Sequence, residues 1–220
     1  MGGARLPGMS VNHARRERAE LCDLLQVVGP DLPTLCEGWT TRDLAAHLVV
    51  RERRPDAALG IVAAPFARHG ERVRRREATR PWPSLVHRVR SGPPRWSPFA
   101  LGPIDRAANT VEYFVHHEDV RRGAGRELSS RSLPPDLDAQ LWAVLRRMSR
   151  LLLRRSPTGV VLGRPNGTSV VAHRGSPTVE VTGDPGELIL FVHGRQQHAL
   201  VDLDGPREAI ESLQHAALGI

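Results

Sequence analysis

A chain of 220 residues has the length of one generous domain, or of one domain with a small second unit. With 40% hydrophobic and 25% charged residues it has an ordinary soluble globular composition, which excludes disorder, collagen and fibre. The net charge of +7 arises from 31 basic residues, every one an Arg, against 24 acidic; a Lys-free chain points to a GC-rich genome, so its basicity argues only weakly for nucleic acid.

In chain order, the first predicted helix runs from about Val11 to Val28, with Leu21, Leu25 and Val28 on a buried seam, and Gly29-Pro30 stopping it. A second opens at Thr40, where Asp43 completes a capping box and Trp39 and Leu44 occupy the staple positions. In that register Leu44, His47, Leu48 and Arg51 share one face, so His47 points where the leucines point. From Arg51 to Arg95 there are 12 Arg against 4 acids, and Pro55 to Pro103 reads as irregular except for a helix near Ser84 to Arg90. Two long helices follow, about Ile104 to Arg122 and Asp136 to Arg155. The second carries Leu137, Leu141, Leu145, Met148 and Leu152 on one stripe, and together the four long helices predict a bundle.

After Pro157 the pattern changes. Strands are predicted at Gly159 to Leu162, Thr168 to His173, Thr178 to Thr182 and Ala199 to Asp202, with Asn166-Gly167 as a hairpin turn. Short helices are expected after Asp184-Pro185 and Gly205-Pro206. The expected division is a helical bundle over residues 1–155 and a small α/β domain over 156–220. The apolar runs are far shorter than the roughly 20 residues that span a bilayer, and the first ten residues lack the core of a secretory signal, so a cytoplasmic location is expected. Cys22 and Cys36 are expected to be thiols.

The chemistry concentrates in Glu112-x-x-x-His116-x-x-Asp119. On a helix these three share one face with Ala108 and Val115, which makes it the inward one. A buried carboxylate needs a cation, and a divalent metal on Glu112, His116 and the inward His47 supplies it. Two His and one carboxylate leave a position open, the pattern of catalytic zinc, although nickel or iron suits the same donors. His117 lies about 100° from His116 and serves as a neighbour only. Cys36 is open to three readings: a nucleophile, a fourth ligand, or a small packing residue.

The run Cys36-Glu37-Gly38-Trp39-Thr40-Thr41-Arg42-Asp43-Leu44-Ala45-Ala46-His47-Leu48, with Glu112, His116 and Asp119 further on, resembles the actinobacterial mycothiol-dependent maleylpyruvate isomerase family, a branch of the DinB-like metal-binding four-helix bundles. Thr182-Gly183-Asp184-Pro185 and Gly194-Arg195 are similar to that family's small C-terminal α/β domain. The resemblance implies a mainly α fold and a divalent metal, usually zinc, on His47, Glu112 and His116. It also implies mycothiol as a thiol cofactor, a small electrophilic substrate, and isomerisation or S-transfer. Arg195 is the candidate catalytic residue, binding a substrate carboxylate in a bidentate pair. Two other classes stand beside this one. A metal-binding sensor or partner-binding module would use the same ligands without catalysis. A nucleic-acid binder would use Arg51 to Arg95, but that stretch and the residues just after it offer only Trp82, Trp96 and two Phe for stacking.

Overall fold

The computed structural model describes residues 12–57, 66–95, 97, 102–123 and 129–219, with the backbone alone at 102–108, so the expectations for Val11, Trp96 and the Ala108 side chain lie outside the described residues. Helix α1 (His13–Val28) starts where the Asn12 side chain accepts the Arg15 N–H and ends at Gly29, whose φ of 79° favours glycine. Helix α2 (Thr41–Arg53) has the expected capping box: Thr40 accepts the Asp43 N–H and Asp43 accepts the Thr40 N–H, an arrangement whose loss costs about 1 kcal/mol.

Helix α3 (Ala67–Ala78) forms where an irregular segment was expected. Its sequence has no apolar stripe to betray it. Glu71 pairs with Arg74 and Arg75, one turn on, and Arg74 reaches across to Asp43 of α2 while stacking 4.8 Å over the Trp39 ring. Helices α4 (Trp82–Arg90), α5 (Gly102–Arg122) and α6 (Pro135–Leu152) follow.

Two apolar cores share α5. In the first, Leu21 and Leu25 of α1, Leu44 and Leu48 of α2, Leu85 and Val89 of α4 and Tyr113 of α5 are buried together. The bundle is therefore α1, α2, α4 and α5. In the second, Val111, Phe114 and Val115 of α5 meet Leu137, Leu141 and Leu145 of α6 and the apolar side chains of the sheet. Helix α6 had been expected in the bundle and is instead packed on the α/β part. Its stripe also drifts: Ser149 is buried and Met148 is exposed, so the spacing after Leu145 is not the expected one.

The sheet has the order β2-β1-β3-β4, built from β1 (Gly159–Gly163), β2 (Ser169–His173), β3 (Thr178–Thr182) and β4 (Asp202–Asp204). Strand β1 pairs antiparallel with β2 and parallel with β3, and β3 pairs antiparallel with β4. The last strand begins only at Asp202, the final residue of the expected Ala199 to Asp202, and a 3-10 turn (Gln196–His198) precedes it. Helix α7 (Pro185–Val192) covers the sheet, each of its eight residues buried, and α8 (Arg207–Gln214) closes the fold. No helix among the described residues is long and apolar enough to cross a membrane.

Candidate metal centre

Glu112 stands where α5 passes α2, and two imidazoles meet its carboxylate. His47 Nε2 lies 3.2 Å and His116 Nε2 3.3 Å from the same oxygen, Oε1. One donor atom from each of the three residues lies within 4.8 Å of the other two. The sequence thus brought together the three residues it had singled out, one from α2 and two from successive turns of α5.

The second nitrogen of His116 is also engaged. Nδ1 lies 2.9 Å from Asp119 Oδ2, so the carboxylate holds the hydrogen on Nδ1 and orients the ring with Nε2 toward Glu112. Asp119 is fully buried and held by Arg195, whose Nε and Nη2 lie 2.9 Å and 2.6 Å from its two oxygens. Cys36 completes this layer, with Sγ 3.2 Å from Asp119 Oδ2 and 3.3 Å from Arg195 Nη2. It also packs against the first apolar core, so the packing reading holds alongside these polar contacts. Arg195, expected to face a substrate carboxylate, instead grips a carboxylate of its own chain.

The charges follow from these contacts. Burial alone would raise the Glu112 carboxyl, but hydrogen bonds from His116 and His47 and the charge of Arg51 outweigh it and hold the group well below the usual carboxylate range. Burial dominates at His47 and lowers it below an ordinary histidine. At His116 burial is outweighed by Asp119, Cys36 and Glu112, and the group is raised.

Two observations fit these residues to a divalent ion. The donors are the nitrogen and oxygen types that zinc accepts, with the carboxylate behind His116 that ligating histidines generally have. The Glu112 side chain is 24% exposed, so one side of the cluster stays open to a further ligand. Two other groupings suit an ion less well. Cys36, His116 and Asp119 also converge, but both Asp119 oxygens are already taken by Arg195. Glu17, Glu20 and His117 converge as well, with the guanidinium of Arg131 already against Glu17 at 2.9 Å and Glu20 at 3.5 Å. His117 thus faces α1, away from the cluster, as its position on the helix required.

Several neighbours were not assigned from sequence. Arg51 Nε lies 3.2 Å from Glu112 Oε1 and its Nη1 donates to Asn109 Oδ1 at 2.6 Å, so the fourth residue of the inward face of α2 belongs to the cluster. The Trp39 ring lies 5.2 Å from the His47 ring, between it and Arg74. His193, which lacked any paired spacing, joins the Asp119 layer through its backbone, its carbonyl oxygen accepting from Arg195 Nη1. The H-G-R run beside Arg195 was the available signal. A cavity of about 240 Å³ lies on the opposite face of α5, lined by Phe114, Glu118, Arg122, Arg131 and Glu187 among others, and those charged groups pair with one another.

Residues 11–97 match the family described as the mycothiol maleylpyruvate isomerase N-terminal domain, a span that includes His47 and stops before Glu112. Two solved structures are similar across 87% of this chain and 90% of theirs. One is a mycothiol-dependent maleylpyruvate isomerase, at TM-score 0.58 and 18% identity. The other is a histidine-to-alanine mutant of a mycothiol-dependent maleylpyruvate isomerase, at TM-score 0.62 and 17% identity. The fold is thus the mainly α, DinB-like bundle with a small α/β part that the sequence motifs resemble. No protein of curated function matches the sequence.

Proposed function

We propose that this chain is a metal- and mycothiol-dependent isomerase or S-transferase acting on a small electrophile that bears a carboxylate. The observation that carries the reading is the convergence of His47, Glu112 and His116 at an opening, with Asp119 fixing the tautomer of His116. The family match and the shared fold support the same class.

His47, Glu112 and His116 would hold the metal, zinc by their donor types. Bound there, it would lower the pKa of a thiol at the open position, so that a thiolate forms near neutral pH. The remaining steps concern the chain itself. Asp119 orients His116, and Arg195 holds Asp119, which makes Arg195 a positioning residue. Arg51, which pairs with Glu112, would be the guanidinium to turn from that carboxylate to a substrate's. The thiolate adds to an activated double bond, the former double bond rotates as a single bond, and expulsion of the thiolate gives the isomer. If the thiolate stays, the product is the S-adduct.

The test is spectroscopic. A cobalt-loaded protein should develop a thiolate-to-metal charge-transfer band on addition of mycothiol, and a weaker one with glutathione if the cleft recognises the sugar part. A spectrum indifferent to every low-molecular-weight thiol would overturn the reading and leave a metal-binding module without thiol chemistry.

A further inference from the structure

Between Arg51 and Arg95, seven of the twelve arginines find a carboxylate among the described residues, so the basic middle of the sequence is largely neutralised by the fold. The uncompensated charge lies elsewhere. No acidic residue occurs between Asp138 and Glu180, whereas seven Arg do. Among the described residues only Arg164 of these seven pairs with a carboxylate, that of Asp138 at 2.6 Å. Five of the others, Arg146, Arg147, Arg150, Arg154 and Arg155, are exposed at the C-terminal end of α6 and in the turn after it.

Helical spacing sets these residues side by side. Arg147, Arg150, Leu151 and Arg154 stand at i, i+3, i+4 and i+7, while Leu145, Ser149 and Leu152 on the other side are buried. The helical path carries past Leu152, because the Leu153 N–H still donates to the Ser149 carbonyl oxygen at 2.8 Å. Arg154 Nη1 folds back to the Leu151 carbonyl oxygen at 3.0 Å, which holds that guanidinium beside Leu151. Leu151 is 46% and Met148 38% exposed, so two aliphatic side chains stand among the charges. Like charges at i, i+4, such as Arg146 with Arg150, repel, and no neighbouring carboxylate relieves them among the described residues. The row is therefore maintained against the electrostatics of its own helix.

We propose that this arc of α6 docks on the surface of an anionic lipid bilayer, with the arginines on headgroup phosphates and Leu151 and Met148 at the acyl boundary beneath them. Charge complementarity calls for an anionic partner, which excludes a second copy presenting the same arc. The two aliphatic side chains favour lipid over nucleic acid. A polynucleotide would give them mainly phosphate and sugar to face, and it rewards aromatic rings on which bases stack. The indole of this helix, Trp142, is 7% exposed and lies under the Arg164 guanidinium, so it offers no such ring. The docking is independent of the thiol reading, and it holds the chain at a membrane face without crossing it.

Co-sedimentation of the full chain with vesicles tests this. The protein should bind an equimolar mixture of phosphatidylglycerol and phosphatidylcholine but not phosphatidylcholine alone, and the affinity should fall about tenfold between about 0.05 and 0.2 M salt. Arg147→Gln, Arg150→Gln and Arg154→Gln together should weaken binding about 100-fold. Leu151→Ser should weaken it about fivefold through the lost apolar contact. All four positions are exposed, so the circular dichroism of these variants should match the wild type. The control removes the same charge from three exposed arginines of α3: Arg68→Gln, Arg72→Gln and Arg76→Gln together should stay within about twofold of the wild type, since these sites lie off the docking arc. Equal losses in the two triple variants would reduce the effect to net charge and overturn the inference, as would no binding to the anionic vesicles. Leu151→Ser without effect would overturn it too, and tighter binding of a duplex oligonucleotide would then assign the arc to nucleic acid.

Discussion

Asp119 and His116 form a carboxylate–imidazole couple across one turn of α5, with 2.9 Å between Oδ2 and Nδ1 and no solvent contact at the carboxylate. A charge so buried is tolerable only with partners, and Asp119 has an imidazole, a guanidinium and a thiol around it. Arg195 comes from the α/β part, 76 residues away in sequence, so the orientation of a bundle histidine depends on the docking of the second part of the chain. This ties the candidate centre to the whole fold rather than to the bundle alone.

Asp119→Asn keeps the shape of the side chain and removes its charge. The amide can no longer hold His116 in one tautomer and also satisfy Arg195. Metal affinity should fall about 10- to 100-fold, the usual consequence of losing the partner behind a ligating histidine. Competition with a chromogenic chelator measures it, and an unchanged affinity would detach Asp119 from the centre.

The ligand assignment has a sharper test because two trios share His116. The purified protein should carry about one divalent metal per chain, and His47→Ala or Glu112→Gln should remove most of it. Cys36→Ser should retain it. The reverse pattern in elemental analysis, with metal lost from the Cys36 variant and kept in the His47 variant, would move the ion to the Asp119 side.

How much of this was legible beforehand depends on where the signal lies. His47, Glu112 and His116 were readable because helical periodicity places polar groups on apolar faces of α2 and α5, and the capping box fixed the register of α2. Helix α3 was not readable, since it is held by Glu71 pairs and by Arg74 docking on Asp43 rather than by an apolar stripe. The place of α6 was missed for a different reason: Leu137, Leu141 and Leu145 specify a buried stripe but not which surface it meets. Arg195 takes its role from a turn closed by Gly194 at positive φ, a three-dimensional arrangement with no periodicity to read.

Acid should weaken the joint between the two parts. Burial raises the Glu187 carboxyl, but Arg122 at 2.7 Å and the Leu200 N–H at 2.9 Å outweigh it and leave the group lowered. A lowered folded-state pKa contributes stability above the unfolded value of about 4.3 and loses it as pH falls through the folded value. Glu187→Gln should therefore be about 1–3 kcal/mol less stable at pH 7, the lower end applying because Glu118 also pairs with Arg122. Denaturant curves for the two proteins should converge as pH drops below about 4. Parallel curves at all pH values would contradict the argument.

The packing of α6 makes a prediction about fragments. A piece spanning 156–220 lacks Leu137, Leu141 and Leu145, against which α7 and the sheet bury their side chains. At this size a fragment buries only about 60% of its unfolded surface even when complete. We expect 156–220 to show no cooperative thermal transition by circular dichroism, and 130–220 to show one. A cooperative transition in the shorter piece would place the unit boundary after α6.

Trp39 offers a reporter of the ion's position. Its ring is bounded by His47 at 5.2 Å between centroids and by the Arg74 guanidinium at 4.8 Å, whereas Trp82 and Trp142 are stacked by other arginines, Arg42 and Arg164. A copper(II) ion is an efficient short-range quencher and prefers imidazole donors, so on binding at His47 it should dim Trp39 far more than the other indoles. The stepwise loss of emission should saturate at the metal stoichiometry and reverse on chelation. Trp39→Phe should abolish most of the quenching while leaving copper affinity within a few-fold, because the ring borders a ligand without being one. If the substituted protein quenches as much as the wild type, the ion sits away from His47, and the assignment of His47, Glu112 and His116 as its ligands fails.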